Sequence, residues 1–280
     1  MPNTIRAEKA CTELWIEYSF LDINKNILEY NHNNTIWHLI QGCVPTNNEI
    51  FALICKDKGF MYDILKDKIQ LPTTLQYLDP ASNSLFMEYM KYENIEKIVE
   101  DIEKKLSYPI IIKKSRWSLW IHVFKCDTTT SLTSTIRKIF DNQKNYDYIC
   151  LAQEYIHIKK EYRVIVYNNE VQFSYIKDNT FSTEKENLSP LHQHNSIARL
   201  EKDNTVINMI KDFVGKLSTV LPLPYTWIDL ALDENGVRRL IELNSHPGFS
   251  YFVRDNWEKE VIDLYKKIIL SQITPWQQSQ

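Results

Sequence analysis

Apolar positions recur along this chain with two periods, 3.6 in some stretches and 2 in others, and the switches between them mark out helices and strands. The clearest helix predicted runs from Glu93 to Leu106, where Ile95, Ile98, Val99, Ile102 and Leu106 share one stripe and Pro109 follows the end. The same spacing predicts helices over Thr130 to Phe140, Asp203 to Leu221 and Asn256 to Leu270, the last with Asn256 as its N-cap. A shorter helix is expected from Asp57 to Ile69, closed by Leu71-Pro72. Extended segments are expected at Thr73 to Leu78, Ile110 to Ile112, Ile121 to Cys126 and Tyr148 to Ala152. Glu161 to Tyr167 and Val171 to Ile176 alternate cleanly and are joined by Asn168-Asn169, which reads as a hairpin. The first ~55 residues, with the asparagine-rich turn Asn31 to Asn34, are the least legible. Helices mixed with antiparallel hairpins define an α+β chain of several sub-domains.

A second hairpin carries more information. From Trp227 to Asn244 the chain alternates around Asn235-Gly236, a preferred two-residue turn with positive φ at both positions. With that loop, Asp233 faces Arg238 and Asp229 faces Glu242, while Ile228, Leu230, Leu232, Ile241 and Leu243 fill the opposite face. Directly opposed residues have Cβ atoms about 4.5–5.5 Å apart, and like charges there repel. Asn244 lies on the carboxylate face, and Ser245-His246-Pro247-Gly248 turns away after it. A hard divalent cation with oxygen ligands relieves such a repulsion. Two solvated carboxylates diluted by Arg238 are the alternative.

Composition narrows the chemistry. There are five glycines in 280 residues, never closer than twelve apart, where average usage is about 7%. No glycine-rich phosphate loop of the Rossmann or P-loop kind can be written. The content of 44% hydrophobic and 25% charged residues is that of an ordinary globular protein. A net charge of −3 provides no global attraction to nucleic acid or to an anionic membrane, and neither is expected as a partner. The five cysteines are at least twelve residues apart, without a C-x-x-C pair, which points to reduced thiols in a cytoplasmic setting. No segment approaches the ~18 apolar residues of a membrane span, and no secretory leader is read. H-E-x-x-H and G-x-S-x-G patterns are absent from the sequence. His192-Gln193-His194 in a polar loop reads as solvated.

Lys113 closes the apolar run at Ile110 to Ile112, where a point cation can hold a phosphate without glycines. Lys58 precedes a helix in Asp57-Lys58-Gly59, and Glu161-Tyr162-Arg163 opens an alternating strand. Taken in order, a lysine before a helix, a lysine on a strand, a loop, the hinge Gln153-Glu154-Tyr155-Ile156, Glu-x-Arg, then Asp229 with Glu242-x-Asn244 resembles the ATP-grasp superfamily over roughly residues 55 to 255. The resemblance implies two α+β sub-domains gripping ATP, with a short N-terminal domain at 1–55, a central and lid sub-domain at 56–152 and a C-terminal sub-domain at 153–280. It implies phosphate binding by Lys58 and Lys113, adenine at Gln153, Glu154, Tyr155 and Ile156, ribose at Glu161, and further cofactor contacts from Ser115 and Lys177. Magnesium, as one or two ions with Mn2+ as a substitute, would take Asp229, Glu242 and Asn244. Lys113, Arg163 and Arg254 are the residues implied in catalysis, and Asn195, Arg199, Gly248, Phe249 and Ser250 those around the substrate.

Most members are ligases, and Lys58 with Glu161-Tyr162-Arg163 looks most like the branch that forms peptide bonds. The implied reaction joins a small-molecule or peptide carboxylate to an amine through an acyl phosphate, releasing ADP. A homodimer is one expectation. The family's glycine-rich lid is replaced here by Ser115-Arg116-Trp117-Ser118-Leu119-Trp120. Two alternatives stay open: a small-molecule kinase resembling the inositol-phosphate kinases, using Lys177, Arg199, Arg238, Arg239 and Arg254 for an anionic acceptor, and a silent nucleotide- or partner-binding domain, suggested by Trp117 and Trp120.

Overall fold

The computed structural model describes residues 3–82, 84–116, 123–141, 147–180, 182, 191 and 194–274. The chain begins with α1 (Thr4–Glu13) and a meander of β1 (Glu17–Phe20), β2 (Ile27–His32) and β3 (Thr35–Ile40). Asn33 and Asn34, at φ 52° and 63°, make the two-residue turn between β2 and β3, the conformation that right-twisted hairpins favour. Two helices follow, α2 (Glu49–Lys56) and α3 (Lys58–Leu65), each capped by the side chain before it, Asn48 and Asp57.

The next unit is a four-stranded antiparallel sheet in the order β4 (Thr74–Leu78), β7 (Ile149–Glu154), β5 (Ile110–Lys114) and β6 (Val123–Cys126). α4 (Ile95–Lys105) and α5 (Thr129–Phe140) cover one face. Their stripes bury Ile98, Ile102, Ile136 and Ile139 against Ile110, Ile112, Cys150 and Ala152. Asn94 and Thr128 cap the two helices, and Thr128 forms a reciprocal capping box with Ser131.

The largest sheet has five antiparallel strands, ordered β10 (Ile197–Leu200), β9 (Glu170–Asp178), β8 (Ile158–Tyr167), β11 (Tyr225–Asp233) and β12 (Arg238–Asn244). β8 and β9 meet at Asn168-Asn169, where both residues have positive φ as the hairpin reading requires. α6 (Asn204–Ser218) joins α2 and α3 beneath this sheet, over Tyr162, Val164, Val166, Ile228, Leu230, Leu240 and Leu243. The upper face is divided. Ile165, Tyr167, Phe173, Tyr175 and Tyr225 pack under α1, β2, β3, α7 (Ser250–Asp255) and α8 (Lys259–Ile273). The other half carries Glu161, Arg163, Lys177, Asp229 and Glu242, all buried.

The final helix starts later than its periodicity suggests. Asn256 is the C-cap of α7, not the N-cap of α8. Its amide donates to the carbonyls of Ala198 at 2.6 Å and Phe252 at 3.0 Å, so it ties α7 to the edge strand β10. Ile121 and the tryptophans Trp117 and Trp120 lie outside the described residues.

Replacing Ile102, fully buried between α4 and the four-stranded sheet, with alanine is expected to cost about 2–5 kcal/mol in urea unfolding. Ile23→Ala, at a side chain 97% exposed, should stay within about 0.5 kcal/mol of the parent. Equal effects at the two positions would refute the assignment of this core.

Candidate functional site

The β11–β12 hairpin departs from the two-residue turn and still brings the two carboxylates together. Only Gly236 has positive φ, at 77°. Its N–H donates to the Asp233 carbonyl at 3.0 Å, and the Asp233 N–H donates to Val237 at 3.0 Å, so the loop is Glu234-Asn235-Gly236. The Asp233 carboxylate shapes it by accepting from the Asn235 and Val237 N–H groups at 3.0 and 2.8 Å. This shifts the pairing by one residue, to Leu232 with Arg238, Ala231 with Arg239 and Leu230 with Leu240. A bulge at Ile241 shifts it back, and Asp229 faces Glu242 with Trp227 facing Asn244. Leu240, rather than Ile241, therefore joins the core. Arg239, rather than Arg238, shares the Asp233 face, with Nε 3.1 Å from Asp233 and Nη1 3.0 Å from Glu154.

Strands β8 and β9 bring cations to these acids. Arg163 lies opposite Asp229 and grips it through two bonds, Nε to Oδ1 at 2.8 Å and Nη2 to Oδ2 at 2.9 Å. Lys177 reaches the same Oδ2 at 2.6 Å and also bonds Glu161. Burial alone would raise the Asp229 carboxyl, but Arg163 and Lys177 outweigh it and hold it down at about 2. Burial dominates at Glu161 and raises its carboxyl, with the Asp229 charge adding to the rise and Lys177 opposing it. The Arg163 guanidinium lies 3.8 Å from the centre of the Trp227 ring, a cation–π contact. The Trp227 indole N–H is buried with no hydrogen-bond partner among the described residues.

The two phosphate-binding candidates approach from outside this sheet. Lys58, the first residue of α3, places Nζ 3.1 Å from Glu242 Oε1. Lys113, near the end of β5, is buried and donates to Gln153 Oε1 at 3.0 Å. Burial, then the nearby Lys58 charge, lowers the Lys113 ammonium to about 7. Lys58, Lys113, Gln153, Thr74, Leu151 and Leu240 line a narrow cleft between the two larger sheets. Gln153 and Glu154 end β7, and the half-buried Tyr155 and Ile156 lead into β8. Glu154 is drawn to Arg239, and the Tyr155 ring meets His157 edge-on.

Other candidates have different surroundings. Ser115 turns its hydroxyl to Asp57. Arg254 donates to the Ser196 carbonyl at 2.6 Å and pairs with Asp255, away from Asp229 and Glu242 in its bonding. Arg199, with a side chain 60% exposed, pairs with Asp178. Asn195 occupies a positive-φ turn position ahead of β10. Gly248 lies against the Trp227 ring, Phe249 is a core residue, and Ser250 is exposed at the start of α7. Ser118, His192 and Gln193 fall outside the described residues. Sequence reasoning missed Trp227, although a period of two places it on the Asp229 face. Arg239, expected only as one of the basic residues for an anionic acceptor, instead reaches Asp233 and Glu154 because the register shift sets its face.

The two sheets, the cleft between them and the acidic hairpin at its edge define an ATP-grasp protein. The RimK-like ATP-grasp domain matches residues 65–271, and the chain belongs to that family. Lys58 precedes the matched stretch. The structure resembles the ATP-grasp ligase PsnB complexed with minimal precursor, at a TM-score of 0.53 and 17% identity over 80% of this chain and 63% of that one. It also resembles the VanG D-Ala:D-Ser ligase from Enterococcus faecalis (TM-score 0.57, 16% identity, 77% and 61% covered). A third likeness is to the D-alanine–D-alanine ligase from Bacillus anthracis complexed with ATP (0.52, 14%, 77% and 64%). The chain thus spans less than two thirds of the length of each of these proteins. No curated protein matches the sequence. No described helix is long and apolar enough to cross a membrane.

The Asp229 pairing has a pH signature. Because its folded carboxyl lies below the ordinary value of 3.8, it contributes stability above about pH 4 that is lost as pH falls toward 2. Urea unfolding of Arg163→Met is expected to show about 3–5 kcal/mol lower stability at neutral pH, from a buried carboxylate short of its partner. The variant should lose less than the parent on acidification from pH 5 to about 2. A parallel acid dependence in both proteins would contradict the pairing.

Proposed function

We propose that this protein is an ATP- and magnesium-dependent ligase that joins a carboxylate to an amine through an acyl phosphate, releasing ADP. The observation that carries the reading is the opposed pair Asp229 and Glu242, set beside a cleft lined by Lys58 and Lys113. Neighbours of the same fold include ligases solved with ATP and with Mg and ADP, which supports the assignment of cofactors. The donor set fits a hard divalent cation. Asp229, Glu242 and Asn244 present oxygen donors; Glu242 Oε1 meets Lys58 Nζ at 3.1 Å, and Asn244 Oδ1 accepts from the His246 N–H at 2.9 Å. Asp229 spends three of its about four acceptor positions on Arg163 and Lys177.

In the proposed reaction Lys58 and Lys113 bind the phosphates, the backbone of Gln153 to Ile156 meets adenine, and Glu161 accepts from ribose. The substrate carboxylate oxygen forms a bond to the γ-phosphorus, and the bond to ADP breaks. The amine then attacks the acyl carbon, and phosphate leaves with the electron pair of the C–O bond. Magnesium held by Asp229, Glu242 and Asn244 would neutralise charge on the transferring phosphoryl group, with Mn2+ as a substitute. Arg163 and Lys177 keep Asp229 ionised and oriented. The substrates are small-molecule or peptide carboxylates and amines, and a cytoplasmic location suits five free cysteines. Arg254, Asn195, Arg199, Gly248 and Ser250 remain the candidates for contacts to the acid and the amine.

Asp229→Asn and Glu242→Gln are each expected to lower magnesium-dependent ATP turnover by on the order of 100-fold or more. Turnover assayed with pools of carboxylates and amines, with products read by mass spectrometry, tests this. An amide with ADP supports the ligase, a phosphorylated acceptor would make it a kinase, and unchanged turnover in both variants sinks the metal assignment. A second expectation concerns proton uptake. Burial and the Lys58 charge lower the Lys113 ammonium to about 7, while bound phosphate favours its charged form. Affinity for ADP with magnesium should therefore fall by up to about tenfold per pH unit above pH 7. Calorimetry across pH checks the slope, and Lys113→Arg should flatten it.

A further inference from the structure

One buried carboxylate, Asp57, has no part in the cluster described above. It is 6% exposed and caps α3, accepting on Oδ1 from the N–H groups of Gly59 at 3.0 Å and Phe60 at 3.2 Å. Capping requires no more than this, and serine or threonine serves as well. Asp57 does more. The same Oδ1 accepts from the Ser115 hydroxyl, and Oδ2 accepts from Arg116 Nε at 3.0 Å. Ser115 and Arg116 follow directly on β5, the strand of Lys113, and Lys58 is the residue next to Asp57.

The backbone repeats the connection. The Lys58 N–H donates to the Ser115 carbonyl at 2.9 Å, and Asp57 forms an isolated antiparallel bridge with Arg116. The seam is tight at Gly59, where a Cβ would meet Gln76 Oε1 at 2.4 Å and Ser115 Oγ at 3.0 Å. Lys58 and Lys113 both line the cleft, and like charges held this close repel. Something must hold their backbones in place, and the only ionised side chain bonded to both segments among the described residues is Asp57.

We propose that Asp57 is a positioning residue that fixes the spacing of Lys58 and Lys113 for a polyphosphate, by binding the start of α3 to the end of β5. The proposal rests on the nucleotide reading of those two lysines. It requires a carboxylate, or at least its two-atom reach, since a hydroxyl that caps the helix cannot also span to Ser115 and Arg116.

Asp57→Ser keeps a competent cap and removes the reach, whereas Asp57→Asn keeps the cap and the Ser115 bond on its oxygen and gives up only the Arg116 bond, which an amide nitrogen cannot accept. Binding of ADP with magnesium, and of AMP, is measured by calorimetry on the full chain below the unfolding temperature. Asp57→Ser is expected to weaken ADP by about tenfold or more while leaving AMP within about twofold, and Asp57→Asn should restore ADP to within about threefold of the parent. A general loosening of the fold would weaken both nucleotides together. Equal losses for ADP and AMP, or ADP binding unchanged in Asp57→Ser, overturn the proposal. A parent protein that binds neither nucleotide overturns the nucleotide reading, and this inference with it.

Discussion

The bidentate bond between Arg163 and Asp229 is the constraint on which the rest of the site depends. Strand alternation gives the five-stranded sheet two faces, and the lower one is closed by apolar side chains from three helices. On the upper face the same alternation forces Glu161, Arg163, Asp229 and Glu242 into one buried row. Removing such charges from water costs several kcal/mol per ion unless each is paired. Three carboxylates, Glu161, Asp229 and Glu242, are met by three cations, Lys177, Arg163 and Lys58. Lys113 is the fourth cation, and burial, with the Lys58 charge beside it, lowers its ammonium to about 7.

The row was legible in the sequence because it depends on period alone. Asp229, Glu242 and Asn244 share a face whether the loop has two or three residues, provided the register is restored, and the bulge at Ile241 does that. The loop itself was not legible. Asn235-Gly236 favours a two-residue turn in isolation, but the Asp233 carboxylate folds the backbone onto itself through two N–H bonds. Local side-chain competition of this sort leaves no trace in hydrophobic periodicity. The helices from Ile95 to Phe140 were readable for the opposite reason, since their stripes meet a single sheet face. β1 to β3 were obscure because they are four to six residues long and only half-buried. Asn256 misled because an asparagine side chain serves either end of a helix, and here it bonds β10 instead.

Scarcity of glycine is met by asparagine. Asn33, Asn34, Asn168, Asn169 and Asn195 all take positive φ, a region that asparagine tolerates better than most side chains. Two of the tightest hairpins, β2–β3 and β8–β9, therefore need no glycine at all. Glycine itself stands at Gly236, at positive φ in the acidic hairpin, and at Gly59, where a side chain would collide with Gln76.

The choice of cation at each place in the row follows from what it must touch. Position 163 needs a flat group that forks onto both oxygens of Asp229 and lies on the Trp227 ring, and only a guanidinium does both. Position 177 needs a compact charge that two different carboxylates can share, which suits an ammonium with three donors. Position 58 is different again. Its lysine meets Glu242 Oε1 at 3.1 Å, with side chains 10% and 8% exposed, and starts the helix α3 instead of lying within the sheet. Arg163 and Lys177 are locked into the sheet by multiple bonds. Lys58 pairs with Glu242 of the five-stranded sheet and lines the cleft beside Lys113, so it is the cation of the row that joins that sheet to the cleft wall.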